Sequence, residues 1–354
     1  MPAQLGSCAG ITLFRPRAQG DEPCPEPRTL PSEPTPGSPV PPDHHPLLRE
    51  LTARAAAVAH QVPHTAPCPC AAATLADRPD GTVVRHGDTV AKAHARDADP
   101  GELRARMETA SRLGDTFVAP LSHPSTDLRG RPVTFWPYGI PVDPDAPEAA
   151  PWEPAATLLA RLHRTPAPPG LPGMRGPLNA ARAVTRLRAE APDHPATTPV
   201  LKAWSTLPAW AGAEAPMPGP LALCHGDFHL GQLVRLPGGG GWRLIDVDDL
   251  GTGHPAWDLA RPAAWFACGL LHAEEWARFL AAYRNAGGPA VPAAGDPWPY
   301  LDIPARALTV QTAARMIAKA VGEGRPLDEV ETCVVDACAR IASVEAPAAP
   351  GAQA

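Results

Sequence analysis

The pattern of apolar and polar positions changes period several times along the 354-residue chain. Residues 17–46 (RAQGDEPCPEPRTLPSEPTPGSPVPPDHHP) are rich in Pro, Glu and Ser, with too few aliphatic side chains to offset the entropy lost on ordering. Residues 1–46 are therefore predicted to form a disordered tail. From Pro46 to His60 (PLLRELTARAAAVAH) Leu and Ala recur at helical spacing, which predicts a short amphipathic helix leading into the folded part. Residues 73–95 (ATLADRPDGTVVRHGDTVAKAHA) switch to β-favouring runs broken at Asp80-Gly81 and Gly87-Asp88, the pattern of a three-stranded meander. The helical period then returns. Asp99 can cap a helix with Pro100 as its first residue, and Leu103, Met107, Ala110 and Leu113 follow along one face. Residues 117–121 (FVAPL) and 132–136 (PVTFW) read as two further short strands, so the order β-β-β-α-β-β predicts a small antiparallel sheet with one helix packed on it.

Residues 139–153 (GIPVDPDAPEAAPWE) form a Pro/Asp/Ala connector, beyond which the pattern is mostly helical. Helices are predicted from Ala155 to His163, over 272–286 with a stop at Gly287-Gly288, over 304–321, and over 326–342, where Val330, Val334, Ala337 and Ile341 share a face. Within this half lie HGDFHLGQ (225–232), LVRL, PGGGG and WRLIDVDDL. Gly238 to Gly241 could cradle phosphate or turn a hairpin; a phosphate loop needs Gly-Lys-Ser/Thr opening a helix, and Trp242 follows instead, so a hairpin is expected. The fold class is α+β: a sheet-bearing lobe over 47–138, a hinge and helical lobe over 139–345, and a flexible tail over 346–354.

Composition narrows the functions available. The 49 prolines interrupt long regular elements, while a 44% hydrophobic fraction still builds a sizeable core. With a net charge of −6 and scattered basic residues there is no electrostatic footprint for nucleic acid or an anionic membrane, which favours a small-molecule partner. The absence of a long apolar run, and of an apolar core in the first twenty residues, predicts a cytoplasmic protein. Whether it is a monomer or a dimer stays open. Eight cysteines spread from Cys8 to Cys338 do not resemble a disulfide framework. Only Cys68-Pro69-Cys70 is clustered, and without a second Cys/His pair at finger-like spacing it reads as two small residues near a strand start rather than a zinc site.

The chemistry concentrates in HGDFHLGQ and LIDVDD. One carboxylate can take the proton of an attacking hydroxyl while a second holds the magnesium that neutralises a transferring phosphoryl group, and Asp227 and Asp246 could be that pair. They flank a hairpin whose folding back would bring them together. The amide oxygen of Gln232 is a further candidate ligand for hard Mg²⁺. Lys92 stands in an otherwise apolar strand and calls for an anionic partner. A metal-dependent hydrolase using His225, Asp227 and His229 is a competing reading, since side chains two apart on a strand share a face, but it leaves Lys92 and the second aspartate cluster unused.

HGDFHLGQ, LIDVDD and HPAWDLA (254–260) together resemble the catalytic loop, metal-binding segment and trailing motif of the aminoglycoside phosphotransferase-like small-molecule kinases, a family that includes choline kinases and maltokinases. The resemblance implies a two-lobed protein-kinase-like fold and covers residues 73–342. It implies that Asp227 is the catalytic base or orients the acceptor hydroxyl, and that Asp246 is the main Mg²⁺ ligand, with Gln232 and Asp248 assisting. His225 and Asp258 would support the loop, and His229 would be a packed or hydrogen-bonded loop histidine. Lys92 would contact the phosphates of ATP, or of GTP in its place, and would pair with a glutamate on the following helix, Glu108 or Glu102. Trp136 and Tyr138 would lie at the adenine hinge. Gln232 stands where most of the family has Asn, which moves the amide oxygen by about 1.5 Å; a Gly-Gln ending after H-G-D-x-H also resembles the maltokinase branch. The turn Arg78-Pro79-Asp80-Gly81, expected to cover phosphate, has one glycine and no G-x-G-x-x-G. The implied acceptor is a hydroxyl on an antibiotic, a sugar or an amino alcohol. A non-catalytic nucleotide-binding regulator is the alternative.

Overall fold

The computed structural model describes residues 46–60, 68–78, 80–122 and 128–343; the tails expected over 1–46 and 346–354 lie outside these residues except for Pro46, which opens the first helix. Strands β1 (Ala72–Arg78), β2 (Gly81–His86) and β3 (Thr89–His94) form the expected meander. Strand β4 (Val133–Pro137) pairs antiparallel with β3, giving the order β1-β2-β3-β4. Along β2 the side chains of Thr82, Val84 and His86 are buried and their neighbours half-exposed, so one face of the sheet is covered. The cover is helix α1 (Pro46–His60), whose Leu47, Leu51 and Ala55 pack against Val84, Ala91, Ala93, Val133 and Phe135.

Helix α2 (Pro100–Arg112) starts as its sequence predicts, with Asp99 Oδ1 accepting from the N–H groups of Gly101 and Glu102 at 2.8 Å each. Its buried face joins the larger core of the helical part, where Leu103, Met107 and Ala110 meet Trp152, Leu159, Leu223 and Leu244. Residues 117–121 are not the strand expected. Val118 N–H donates to Leu244 and Leu121 N–H to Phe135, single links to two different strands, and Pro120 has no N–H to extend a ladder.

The helical part consists of α3 (Trp152–Arg164), α4 (Gly176–Glu190), α5 (Thr197–Ser205), α6 (Ala256–Cys268), α7 (Ala273–Asn285), α8 (Trp298–Gly322) and α9 (Glu329–Ser343). Helices α4, α5 and α6 were not expected: their buried faces are largely Ala, Val, Gly and Pro, which give a weak periodic contrast. Helix α8 begins well before Pro304 and carries that proline inside it. None of these helices is long and apolar enough to cross a membrane.

Five short strands position the site: β5 (Ile140–Pro141), β6 (Ala222–Cys224), β7 (Leu233–Arg235), β8 (Trp242–Leu244) and β9 (Gly251–Gly253). β7 and β8 form the expected hairpin around Gly238, Gly239 and Gly241, all at positive φ, while β6 pairs with β9 and β5 with β7. The pairs Cys224–Gly251 and Leu233–Leu244 bracket two loops, 225–232 and 245–250, so both run between the same two ladders. The chain turns from β4 into β5 at Gly139, where a Cβ would lie 2.4 Å from Val234 Cγ2. Gly139→Ala should lower stability by about 1–3 kcal/mol through this overlap. Gly114→Ala, which meets nothing within 4 Å, should change it by less than about 0.5 kcal/mol; urea unfolding of both variants is the check.

Candidate active site

The loop 225–232 is fixed before its chemistry begins. Asp258, in the first turn of α6, is fully buried, and its carboxylate accepts from the N–H of His225 at 2.6 Å, the N–H of Gly226 at 2.8 Å and Nε2 of His163 at 3.0 Å. His163 Nδ1 is 2.7 Å from the Tyr283 hydroxyl, which in turn accepts from Ala290 N–H at 3.0 Å. Tyr283 and Asp258 thus hold the two nitrogens of the His163 ring. Burial raises the Tyr283 pKa further, so the phenol stays protonated. His225 is also buried, and its Nε2–H donates to the Ile245 carbonyl at 2.8 Å, tying the loop to the residue before Asp246. Gly226 has φ +89°, and a Cβ there would lie 2.4 Å from the Asp249 carbonyl oxygen, so glycine is what lets the two loops touch. His229 Nδ1 accepts from Gly231 N–H at 3.1 Å, a local loop cap.

This frame carries Asp227, a fifth of whose side chain is open to solvent, with Oδ1 2.6 Å from Nη2 of Arg261. Burial alone would raise its carboxyl pKa, but Arg261, with help from His229, outweighs burial and holds it well below the usual carboxylate range. Arg261 was missed at the sequence level; its signal is the position three residues after Asp258, on the same face of a helix.

The second loop supplies the facing acids. Asp246 sits at φ +62°, a left-handed conformation that costs a non-glycine residue about 1–2 kcal/mol and is typical of functional turns. Lys92 Nζ is 2.8 Å from Asp246 and 3.0 Å from Asp248. This corrects the expectation of an α2 glutamate. Glu102 pairs with Arg106 at 3.0 Å, and Glu108 lines a surface hollow beside Pro168, Pro169 and Leu171. Helix α2 turns its apolar face to the large core, so neither glutamate forms the expected pair with Lys92. Burial disfavours the Lys92 charge, yet the two aspartates outweigh it and raise its pKa.

Asp248 Oδ1 lies 2.9 Å from His94 Nδ1, though no hydrogen bond of good geometry reaches this buried oxygen. Lys92 and His94 overcome the effect of burial and hold Asp248 well below the usual range. Asp249 accepts from Asn179 Nδ2 of α4 at 2.9 Å; burial and the charges of Asp227, Asp246 and Asp248 push its carboxyl up to about 7. His94 and Asn179 were not foreseen, because each belongs to this site only through tertiary packing.

The hinge residues fall on β4 and just after it. Trp136 Nε1 donates to Thr134 Oγ1 at 2.8 Å, Tyr138 N–H donates to the Asp88 carbonyl at 2.8 Å, and the Arg85 guanidinium stacks 3.4 Å over the Tyr138 ring. Gln232 uses its backbone carbonyl to accept from Ile245 N–H at 2.9 Å, which brings it beside the Asp246 loop.

Asp249 thus feels the charges of Asp227, Asp246 and Asp248, while Lys92 and Arg261 pair directly with the other three aspartates and Arg315 and Arg106 act on Asp227 and Asp249 at longer range. The carboxylates of Asp246 and Asp248, the latter with a buried oxygen that lacks a well-formed hydrogen bond, are oxygen donors that fit a hard divalent cation such as Mg²⁺, and the backbone of Gln232 lies on the adjoining loop.

Asp258→Ala would leave three buried donors without their acceptor. It should cost about 3–5 kcal/mol, seen as a lower thermal midpoint, whereas Tyr283→Phe should cost about 1–2 kcal/mol. The depressed Asp227 pKa gives a signed pH test. Its ion pair stabilises the fold above the unfolded-state pKa and loses that contribution as pH falls through the lower folded-state value. Asp227→Asn should therefore be less stable than the parent at neutral pH, with the gap closing toward about pH 2. A gap that is constant with pH would sink the assignment.

Comparison with known proteins bears on the family and the fold. The family model of the phosphotransferase enzyme family (APH) matches residues 33–298. No curated protein matches the sequence. Among solved structures, a choline/ethanolamine kinase family protein from Mesorhizobium loti superposes with a TM-score of 0.54 at 19% identity, covering 83% of this chain and 93% of its own. Choline kinase from Streptococcus pneumoniae gives 0.53 at 15% identity, covering 77% and 94%. A thermostable mutant of an aminoglycoside phosphotransferase, in a ternary complex with AMP-PNP and hygromycin B, gives 0.52 at 13% identity, covering 82% and 98%. These likenesses establish the protein-kinase-like α+β fold, and with a family model matched across most of its length the chain belongs to the phosphotransferase enzyme family.

Proposed function

We propose that this phosphotransferase moves the γ-phosphate of ATP, or of GTP in its place, to a hydroxyl of a small molecule in the cytoplasm, with Mg²⁺ at the acidic loop. The observation that carries the reading is the contact of two loops: His225 and Gly226, which precede Asp227, touch Ile245 and Asp249, while Lys92 pairs with Asp246 and Asp248 on that second loop. The ternary complex of the aminoglycoside phosphotransferase neighbour with AMP-PNP supports a nucleoside triphosphate as donor.

Each residue has a role that follows from its surroundings. Asp227 stays ionised at neutral pH, and its depressed pKa makes it a weak base. It therefore accepts a hydrogen bond from the acceptor hydroxyl, aims the oxygen at phosphorus and takes the proton late, as bond formation to phosphorus acidifies the hydroxyl. Arg261 holds the carboxylate in that orientation. Asp246 and Asp248, with the Gln232 amide, would hold Mg²⁺, which when bound offsets charge on the phosphate oxygens. Lys92 now neutralises those aspartates, and a bound cation would free its ammonium to face the α- and β-phosphates. Trp136 and Tyr138 would border the adenine.

The acceptor is an antibiotic, a sugar or an amino alcohol. Residues 151–345 carry 19 acidic and 17 basic side chains, a net charge of only −2, which favours a neutral or singly charged acceptor over a polycation. The test is Mg²⁺-dependent transfer of labelled phosphate from ATP across a panel of hydroxylated compounds and a cell extract. Asp227→Asn should lower kcat/KM about 10²–10⁴-fold, and Lys92→Met and Asp246→Asn should each lower nucleotide-dependent turnover. Nucleotide binding without transfer to any acceptor would favour the regulator, and turnover with Zn²⁺ in the absence of nucleotide would favour the hydrolase.

A further inference from the structure

A second cluster of chemistry lies away from the cleft. His60 ends α1, Cys68 and Cys70 precede β1, and His86 ends β2. In sequence they read His-x7-Cys-x-Cys-x15-His, which no finger spacing anticipates. In space they converge: His60 Nε2 and His86 Nε2 are 3.1 Å apart, Cys68 Sγ is 3.1 Å from His86 Nε2, and Cys70 Sγ is 3.7 Å from His60 Nε2. The four donor atoms all lie within 4.8 Å of one another.

We propose that His60, Cys68, Cys70 and His86 form a structural zinc site that clamps α1 to the edge of the sheet. Tetrahedral Zn²⁺ with Zn–N of about 2.05 Å and Zn–S of about 2.3 Å sets its ligands about 3.4 Å apart for N···N and 3.6 Å for S···N. The observed separations scatter around these values. Two S–H groups and one N–H group can satisfy these three contacts as hydrogen bonds, and the same convergence of two sulfurs and two nitrogens is the donor set of a tetrahedral metal site. His86 is buried, and its Nδ1 has no partner, so the polar contacts of the ring are all made in this cluster. Two sulfurs and two nitrogens suit borderline-soft Zn²⁺ and not Mg²⁺. On binding, both thiols lose their protons to solvent and the imidazoles bind neutral, so the two thiolates cancel the charge of the ion. All four positions are filled by protein, the composition of a structural rather than a catalytic site.

The site lies apart from the residues proposed for phosphate transfer. In the β2–β3 register His86 pairs with Thr89 and Val84 with Ala91, on the face that α1 covers, whereas Lys92 pairs with Val83 on the opposite face.

The test uses the full-length, tag-free protein. Elemental analysis after gel filtration should find about one zinc per chain, falling below about a tenth in the Cys68→Ser/Cys70→Ser variant and unchanged in Cys333→Ser. Parent protein refilled with Co²⁺ should show the intense visible bands of tetrahedral cobalt and a thiolate charge-transfer band, a readout that does not depend on any variant folding. Chelation should lower the thermal midpoint by about 5–10 °C. Parent protein that retains no zinc, a weak octahedral cobalt spectrum, or equal zinc in the double variant would each overturn the proposal.

Discussion

The buried carboxylate of Asp258 is the interaction on which the rest of the site depends. A carboxylate removed from water is tolerated only when its oxygens are saturated with donors, and here two loop amides and an imidazole supply them. Because two of those donors are the backbone of His225 and Gly226, the loop is set by main-chain geometry before any catalytic side chain is considered. His225 then reaches Ile245, and Gly226 lies under Asp249, so fixing one loop fixes the other. The paired strands β6–β9 and β7–β8 hold the ends of both loops, and the Asp258 network ties the first residues of one to the first residue of the other.

That rigidity allows the site to hold a charge imbalance. Asp227, Asp246, Asp248 and Asp249 would repel one another apart if the backbone could relax. Instead the strain appears as opposite displacements of proton affinity. Asp227 and Asp248, beside Arg261 and Lys92, are held ionised, while Asp249, with only Asn179 as a neutral donor, is pushed up to about 7. Lys92 spans two of the acids and so takes the part that a bound cation would play. A cleft of this kind has a standing affinity for cationic charge and, with that charge supplied, for phosphate.

What could be read from the sequence was what depends on near neighbours. The Asp99 cap, the Gly87-Asp88 turn, the glycine hairpin before Trp242 and the meander over β1 to β3 are each encoded within a few residues, and each is present. The pairing of Asp227 with the Asp246 loop was legible because a hairpin separates them. Lys92 was correctly read as needing an anionic partner, but its partners lie 154 residues away for Asp246 and further for Asp248, not on the next helix. Residues 117–121 have the composition of a strand yet find no continuous partner. Arg261, His94 and Asn179 carry no local mark, since an arginine on a helix or a histidine on a strand has many uses; only packing gives them this one.

The sheet-bearing part faces a stability problem that the helical part does not. Its covered face rests on a small cluster drawn from α1 and three strands, whereas the helical core gathers Trp152, Phe279, Tyr283 and many leucines. Small apolar layers supply little stabilisation once chain entropy is counted, and small domains commonly add a metal or a cross-link for this reason. The His60, Cys68, Cys70 and His86 cluster lies where such a staple is most effective, at the exit of α1 and the far end of β2. By holding α1 on one face of the sheet, it would help fix the position of β3, whose other face carries Lys92 toward Asp246 and Asp248. The metal would then serve phosphate transfer without touching it, through the position of a single strand.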